Sequence, residues 1–165
     1  MLRLALAGEP SWTVSDLELS RSGPSYTIDT VRALPAALGE PQAQVFLILG
    51  LDNLAGLPGW HEAQALLTLA RPLIVWRADG QPQDLRSPED PTTTGSPSAG
   101  LPASVLALPP ELVTRIREGF LPTPGAPGRA TELRAALARG ETRLADLPAV
   151  VGEYIREHGL YREEP

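Results

Sequence analysis

The chain has 165 residues, 42% hydrophobic and 21% charged, with a net charge of −6. That is enough for one domain with its own core, and the acidity gives no support to broad nucleic-acid binding, which needs a basic surface. The absence of cysteine excludes disulfides and thiolate chemistry, and two histidines argue against a protein-built zinc centre. An anionic small ligand stays compatible with the charge, because a few local donors outweigh a global balance. No stretch reaches the apolar length of a membrane helix and no secretory signal opens the chain, so a cytoplasmic protein is expected.

Met1 to Ala7 spaces Leu2, Leu4 and Leu6 by alanines and an arginine, as a short strand or a last helical turn, and Gly8 and Pro10 end either. An opening on half an element fits a domain whose earlier part is missing. Trp12 to Leu19 alternates like a half-buried strand, with a phase slip at Asp16 that suggests a bulge. After the turn Arg21–Pro24, Ser25 is a candidate cap for a helix carrying Ile28, Val31 and Leu34, and Pro35 kinks or stops that helix. Ala43 to Leu49 is an apolar run interrupted only by Gln44, the pattern of a buried strand in a parallel sheet. Glu62 to Ala70 reads as a short helix with Ala63, Leu66, Leu67 and Ala70 inward, and Leu73–Trp76 as another buried strand. This alternation predicts a parallel α/β sheet.

Residues 78–107, rich in Pro, Gly, Ser and Thr, are expected to be a surface loop within a single domain spanning 1–165. Pro109 opens a helix through Ile116, and Phe120–Pro122 is a candidate terminal strand. Two helices close the chain. The first places Leu133, Ala136 and Leu137 on one face before Gly140. The second has Asp146 as a candidate cap and Pro148 near its start, turns Val150, Val151, Tyr154 and Ile155 inward, and stops at Gly159.

Ligands on open α/β sheets gather at the carboxyl ends of strands. Gly50, Asp52 and Trp60 fall just beyond such an end, where an acid can bind a polar ligand and an aromatic can stack on it. The same residues also suit plain structural work: Gly50 for backbone geometry, Asp52 as a helix cap, Trp60 as core. The turn before Trp60, Leu57–Gly59, favours the stacking role. Arg77 at a strand end, with Arg129, Thr131 and Arg134 around a helix start, make a candidate phosphate site, because helix amides and guanidinium groups both suit phosphate; solvated surface arginines are the alternative. Ser25–Thr27 can present polar groups to a ligand or simply cap a helix. His61 is a lone histidine without an identifiable partner. GxxxxGK[ST], GxGxxG, a Ser-His-Asp set and a metal-ligand cluster are all absent from the sequence.

The ordered set of motifs resembles the bacterial nicotinate-nucleotide adenylyltransferase family over almost the whole chain. Arg21–Thr30, RSGPSYTIDT, is similar to the family's R-x-G-x-SYT-x-DT. Leu49-Gly50-Leu51-Asp52 and Trp60 are similar to a strand ending G-x-D followed by L-x-x-W. Arg77–Gly80 stands at R-P-G, Thr131–Arg134 at the end of I-S-S-T-x-I-R, and Tyr154–Tyr161 at the closing Y-I-x-x-x-G-L-Y. The resemblance implies a Rossmann-like nucleotidyltransferase fold, with a parallel sheet and helices on both faces. It also implies an enzyme that joins nicotinate mononucleotide to the AMP part of ATP with Mg²⁺, releasing pyrophosphate. By that resemblance Gly50 and Asp52 meet the ATP nucleoside. Trp60 stacks on the nicotinate ring, with the Thr27 backbone and His61 near its carboxylate. Arg77, Arg129, Thr131 and Arg134 hold ATP phosphates.

Two departures bear on activity. The family's G-x-F-x-P-x-H-x-G-H segment is absent from these residues, so the chain is expected to lack its first strand and helix and to transfer slowly. Gly128-Arg129-Ala130-Thr131 replaces I-S-S-T, so a guanidinium stands where a hydroxyl is usual. Alternatives are a related nucleotidyltransferase, acting on nicotinamide mononucleotide or phosphopantetheine, and an inactive nucleotide-binding remnant. Trp60 and the Ser25–Thr27 segment favour a pyridine nucleotide over phosphopantetheine, which has no ring to stack. Oligomeric state is left open.

Overall fold

The computed structural model describes residues 1–75, 100–121, 130–141, 144 and 147–161. In chain order the elements are α1 (Leu2–Ala5), α2 (Thr27–Ala37), β1 (Val45–Gly50), α3 (Ala63–Leu69), β2 (Ala70–Val75), α4 (Ala103–Leu106), α5 (Pro110–Glu118), α6 (Ala130–Ala138) and α7 (Ala149–Glu157). Two 3₁₀ turns, Leu51–Asn53 and Leu57–Gly59, link β1 to α3. The chain divides into two compact units, one of Leu17–Ala126 and one of Met1–Asp16 with Pro127–Pro165.

In the Leu17–Ala126 unit, β1 and β2 pair in parallel, in register from Val45 opposite Ala70 to Gly50 opposite Val75. The connection through α3 is the βαβ unit expected from the sequence. Phe120 adds a parallel bridge beside Ile74: the Ile74 amide donates to the Gly119 carbonyl at 2.7 Å, and the Leu121 amide to the Ile74 carbonyl at 3.0 Å. Pro72 lies two residues from Ile74, so its nitrogen faces that same edge and no bond to β1 is lost. Alternation along the strands turns Leu47 and Leu49, with Pro72 and Ile74, onto one face. There they join two apolar clusters. One is built on Leu54, Leu57, Leu67, Val105 and Ile116, the other on Ile28, Val31, Leu66 and Ala70. Each fully buried Leu or Ile contributes about 1.5–3 kcal/mol.

The opposite face of β1 departs from expectation. Phe46 is 49% and Ile48 63% exposed. The apolar run suggested burial on both faces, but the described helices of this unit supply clusters for only one, so the strand is half-buried.

Four further expectations need correction. Trp12–Leu19 forms no strand: Trp12 is 62% and Leu19 88% exposed, and residues 17–20 turn. Alternation marks a face only if something covers it, and the boundary between the two units falls at Asp16, where the pattern slips. Ser25 does not cap α2. Tyr26 holds the cap position without a side-chain bond, while the Ser25 hydroxyl donates to the Glu18 carbonyl at 3.3 Å. Pro35 neither stops nor shortens the helix, which runs to Ala37. It sits in the last turn, and its carbonyl accepts the Glu40 amide at 2.8 Å across Gly39, whose φ of 74° closes the helix. Residues 78–99 of the expected loop lie outside the described residues, as does Trp76 of the expected strand, but the loop's end is ordered core: Leu101 and the α4 residue Val105 are buried.

In the other unit, α6 and α7 pack through Leu137, Val151 and Ile155, with Leu144, Leu147 and Leu160 at the margin. Val150 is exposed, contrary to expectation, because Val151 and Ile155, four apart, already define the buried stripe. The cap position of α7 belongs to Pro148 and no side chain fills it; Asp146 lies outside the described residues. Among the described residues no helix is long and apolar enough to cross a membrane.

Candidate ligand site

Gly50 ends β1 with φ −68° and ψ 147°, an extended conformation open to any residue. What demands glycine there is proximity. A Cβ at Gly50 would overlap Asp52 Oδ1 and come within 3.4 Å of Asn53 Nδ2. The bare strand end lets the Asp52 carboxylate fold back over it, steadied by Asn53 Nδ2 donating to Asp52 Oδ1 at 3.3 Å. Asp52 is exposed and caps nothing, since the Leu51–Asn53 turn has no side-chain cap bond. Helix capping is therefore not its role.

The segment before α2 is anchored from outside. Arg21 Nη1 donates to Thr30 Oγ1 at 2.8 Å, and that hydroxyl donates to Glu18 Oε1 at 2.5 Å. This holds Tyr26 at the helix start, where its carbonyl accepts the Asp29 amide at 3.0 Å. Thr27, the first helical residue, is half-buried, and its amide has no intrahelical acceptor. The Tyr26 ring stacks on the His61 imidazole, with centroids 4.1 Å apart and planes 26° from parallel. Trp60 precedes His61 at the end of the Leu57–Gly59 turn. It is half-buried and packs against both apolar clusters. Core and platform are thus not exclusive for Trp60, because one part of the indole is buried and the rest stays accessible.

Glu62 follows in the left-handed conformation, φ 48° and ψ 43°. Arg32 of α2 grips it bidentately, Nη1 to Oε1 at 3.0 Å and Nη2 to Oε2 at 2.6 Å, and Asp29 lies 4.0 Å from Arg32 Nη1. His61 Nε2 is 3.6 Å from Glu62 Oε1. The hydrogen bond from Arg32 holds the Glu62 carboxyl below the usual carboxylate range, and the reciprocal bond raises Arg32. Sequence reading missed Tyr26 as a ring partner and both Arg32 and Glu62. The Asp29–Arg32 spacing of three on a helix was a visible signal; the grip across thirty residues was not.

Thr131 and Arg134 belong to the other unit. Both are exposed on α6, Thr131 as its second residue and Arg134 three further on, so they share a side near amides that have no intrahelical acceptors. Arg77 and Arg129 lie outside the described residues. Among the described residues no group of three or more His, Cys, Asp or Glu is placed to hold a metal ion.

The arrangement defines a mixed α/β protein with parallel strands, whose carboxyl-end loops carry an acid and an aromatic cluster. No family model matches the chain. Similar proteins do. Over 167 residues it is 36% identical to a protein described as "Probable nicotinate-nucleotide adenylyltransferase" from Bordetella petrii, covering 98% of this chain and 71% of that one. A protein of the same description from Pseudomonas entomophila is 36% identical, with 98% and 70% covered. One from Dehalococcoides mccartyi is 32% identical, with 99% and 71% covered. The chain belongs to the nicotinate-nucleotide adenylyltransferase family.

Proposed function

We propose that the protein binds nicotinate mononucleotide and ATP as an adenylyltransferase of NAD biosynthesis, with a Rossmann-like nucleotidyltransferase fold. The observation that carries the reading is the Tyr26–His61 stack beside Trp60, next to the open amide of Thr27. A flat, carboxylated pyridine suits an aromatic wall flanked by an amide and an imidazole. At the other end Asp52 would receive the ATP nucleoside, with Gly50 leaving it room. On the family resemblance alone, Thr131 and Arg134 of the other unit are proposed as phosphate contacts, as are Arg77 and Arg129, which lie outside the described residues.

In the reaction the mononucleotide phosphate oxygen attacks the α-phosphorus of ATP. A new anhydride bond forms, the α–β bond breaks and pyrophosphate leaves. No covalent enzyme intermediate is needed, so the chain's task is positioning and charge. Mg²⁺ is usually carried by substrate phosphates with one or two carboxylates. The described residues form no cage of their own for it, so it would arrive on the ATP phosphates. A cytoplasmic location goes with these substrates.

A second reading, binding with little turnover, is favoured by Gly128-Arg129-Ala130-Thr131, which puts a guanidinium where the family's motif has a hydroxyl. Two measurements on the 165-residue chain test both. Calorimetry should find nicotinate mononucleotide bound in preference to nicotinamide mononucleotide, and phosphopantetheine not bound. Preference for the amide overturns the substrate assignment. Pyrophosphate release should stay well below about 1 s⁻¹, the low end of ordinary turnover; a rate at or above it overturns the second reading.

A further inference from the structure

Arg32 and Glu62 face no predicted ligand, yet among the described residues of this unit they are tied together more closely than the other charged pairs. The grip is bidentate, at 3.0 and 2.6 Å, and both side chains are more than 40% exposed. An exposed pair adds little to stability. It joins α2, whose first residues are Thr27 and Ile28, to the residue that directly follows Trp60 and His61. That residue is also in the left-handed region, which a glutamate seldom adopts, and strain of this kind collects where a functional geometry is being held. The ring stacked on Tyr26 is His61, one residue away.

We propose that Arg32 and Glu62 are positioning residues, a clasp that fixes the His61 ring against Tyr26 and so sets the edge that reads the pyridine carboxylate. This rests on the pyridine-nucleotide reading above. Glu62 Oε1 also lies 3.6 Å from His61 Nε2, so the clasp reaches the ring as well as the turn. It acts by tying the exposed side of the 60–62 turn to Arg32 of α2, so that the Thr27 amide and the His61 imidazole keep one spacing. Loss of either partner frees the exposed His61 and Glu62 side chains to turn, while the buried Leu57, Ala63 and Leu66 keep the backbone in place.

The chain has two histidines, which makes the test direct. His158 stacks on Tyr154 at 3.9 Å in the other unit and serves as an internal control. Imidazole proton resonances of the full chain are recorded for wild type, Arg32→Gln, Glu62→Gln and the double variant. The His61 protons of the wild type should be displaced by the Tyr26 ring current. In each variant they should move towards free histidine while those of His158 stay. Nicotinate mononucleotide affinity should fall about 3- to 10-fold in each single variant and no further in the double, as coupled partners require. ATP affinity and the melting midpoint should hardly change, which a merely stabilising pair would not give. Unmoved His61 resonances in both single variants overturn the proposal, and so does unchanged mononucleotide affinity when the resonances move. A wild-type chain that binds no nicotinate mononucleotide defeats the substrate reading instead, and the His61 resonances still decide whether the clasp sets the ring.

Discussion

Gly50→Ala separates the chemistry of Asp52 from the stability of the strand. The new methyl would overlap Asp52 Oδ1, with Asn53 Nδ2 at 3.4 Å and Asp52 Cγ at 3.6 Å. All three are side-chain atoms of exposed residues, so the side chains swing away and the backbone stays. Alanine also fits the φ and ψ of position 50, and it removes the entropy penalty of glycine, about 0.5–1 kcal/mol. The fold should therefore keep its stability within about 1 kcal/mol. The cost falls on the carboxylate, which can no longer lie over the strand end. A hydrogen bond to a charged group is worth about 1.5–3 kcal/mol, so ATP affinity should drop about 10- to 100-fold if Asp52 receives the nucleoside there. Calorimetric titration with ATP and a denaturant melt read the two quantities apart. Unchanged ATP affinity beside an intact fold would refute the role given to Asp52. A collapsed midpoint would refute the claim that only side chains obstruct position 50.

Gly119→Ala should behave in the opposite way. Its methyl would overlap the Pro72 carbonyl oxygen, which is strand backbone and cannot swing aside. The Ile74–Gly119 and Leu121–Ile74 bonds would be strained or lost, so a loss of about 2 kcal/mol or more in urea melts is expected from overpacking and broken bonds together; an unchanged midpoint would contradict the close approach. Trp60→Ala should lower both stability, by about 3 kcal/mol, and nicotinate mononucleotide affinity, by the about 0.5–1.5 kcal/mol of an aromatic stack, while ATP binding holds. A midpoint loss with unchanged mononucleotide affinity would remove Trp60 from the site. The Glu62 carboxyl titrates lower in the folded chain than in the unfolded one, where about 4.3 is usual. Its contribution is therefore full above that value and is lost as pH falls through the folded value. The Glu62 carboxyl carbon resonance should accordingly titrate at lower pH in the wild type than in Arg32→Gln; the same titration in both would contradict the hold of Arg32 on the carboxylate.

Elements whose cause is local were legible from the sequence. The run ending at Gly50, the Ala63–Leu66–Leu67 stripe, the proline at the start of α5 and the glycine after α7 each carry their own signal, and β1, α3, α5 and α7 stand close to where they were expected, whereas β2 starts at Ala70, three residues before the expected Leu73, and takes in Arg71 and Pro72. What failed depended on neighbours. Trp12–Leu19 alternates correctly for a strand, but Trp12 and Leu19 stay exposed. Phe46 and Ile48 have the character of buried residues and lie on a face that no described helix of the unit covers. Leu101 and Val105 follow a stretch of loop composition yet fill the core beside Ile116. At the site, Gly50, Asp52, Thr27, Trp60 and His61 were marked out by motif order. The partners that orient them, Tyr26 across a ring stack and Arg32 across an ion pair, come from chain segments some thirty residues away, and spacing carries no trace of such meetings.

The 60–62 turn shows how the site is held. A left-handed glutamate costs about 1–3 kcal/mol, and an exposed ion pair returns little. Arg32 therefore cannot be what stabilises the backbone at Glu62. The buried residues on either side can: Leu57 at 0% exposure enters the turn, Leu66 at 0% leaves it, and each is worth more than the strain. The Ala63 amide, donating to the Trp60 carbonyl at 3.1 Å, closes the turn between these anchors. The core thus sets where the turn runs, and the strain is the consequence of joining two fixed ends. What the core leaves undetermined is the direction of the exposed side chains, since neither His61 nor Glu62 is buried. That remaining freedom is what Arg32 removes, which is why a pair of negligible worth to folding belongs beside the residue proposed to read the pyridine carboxylate.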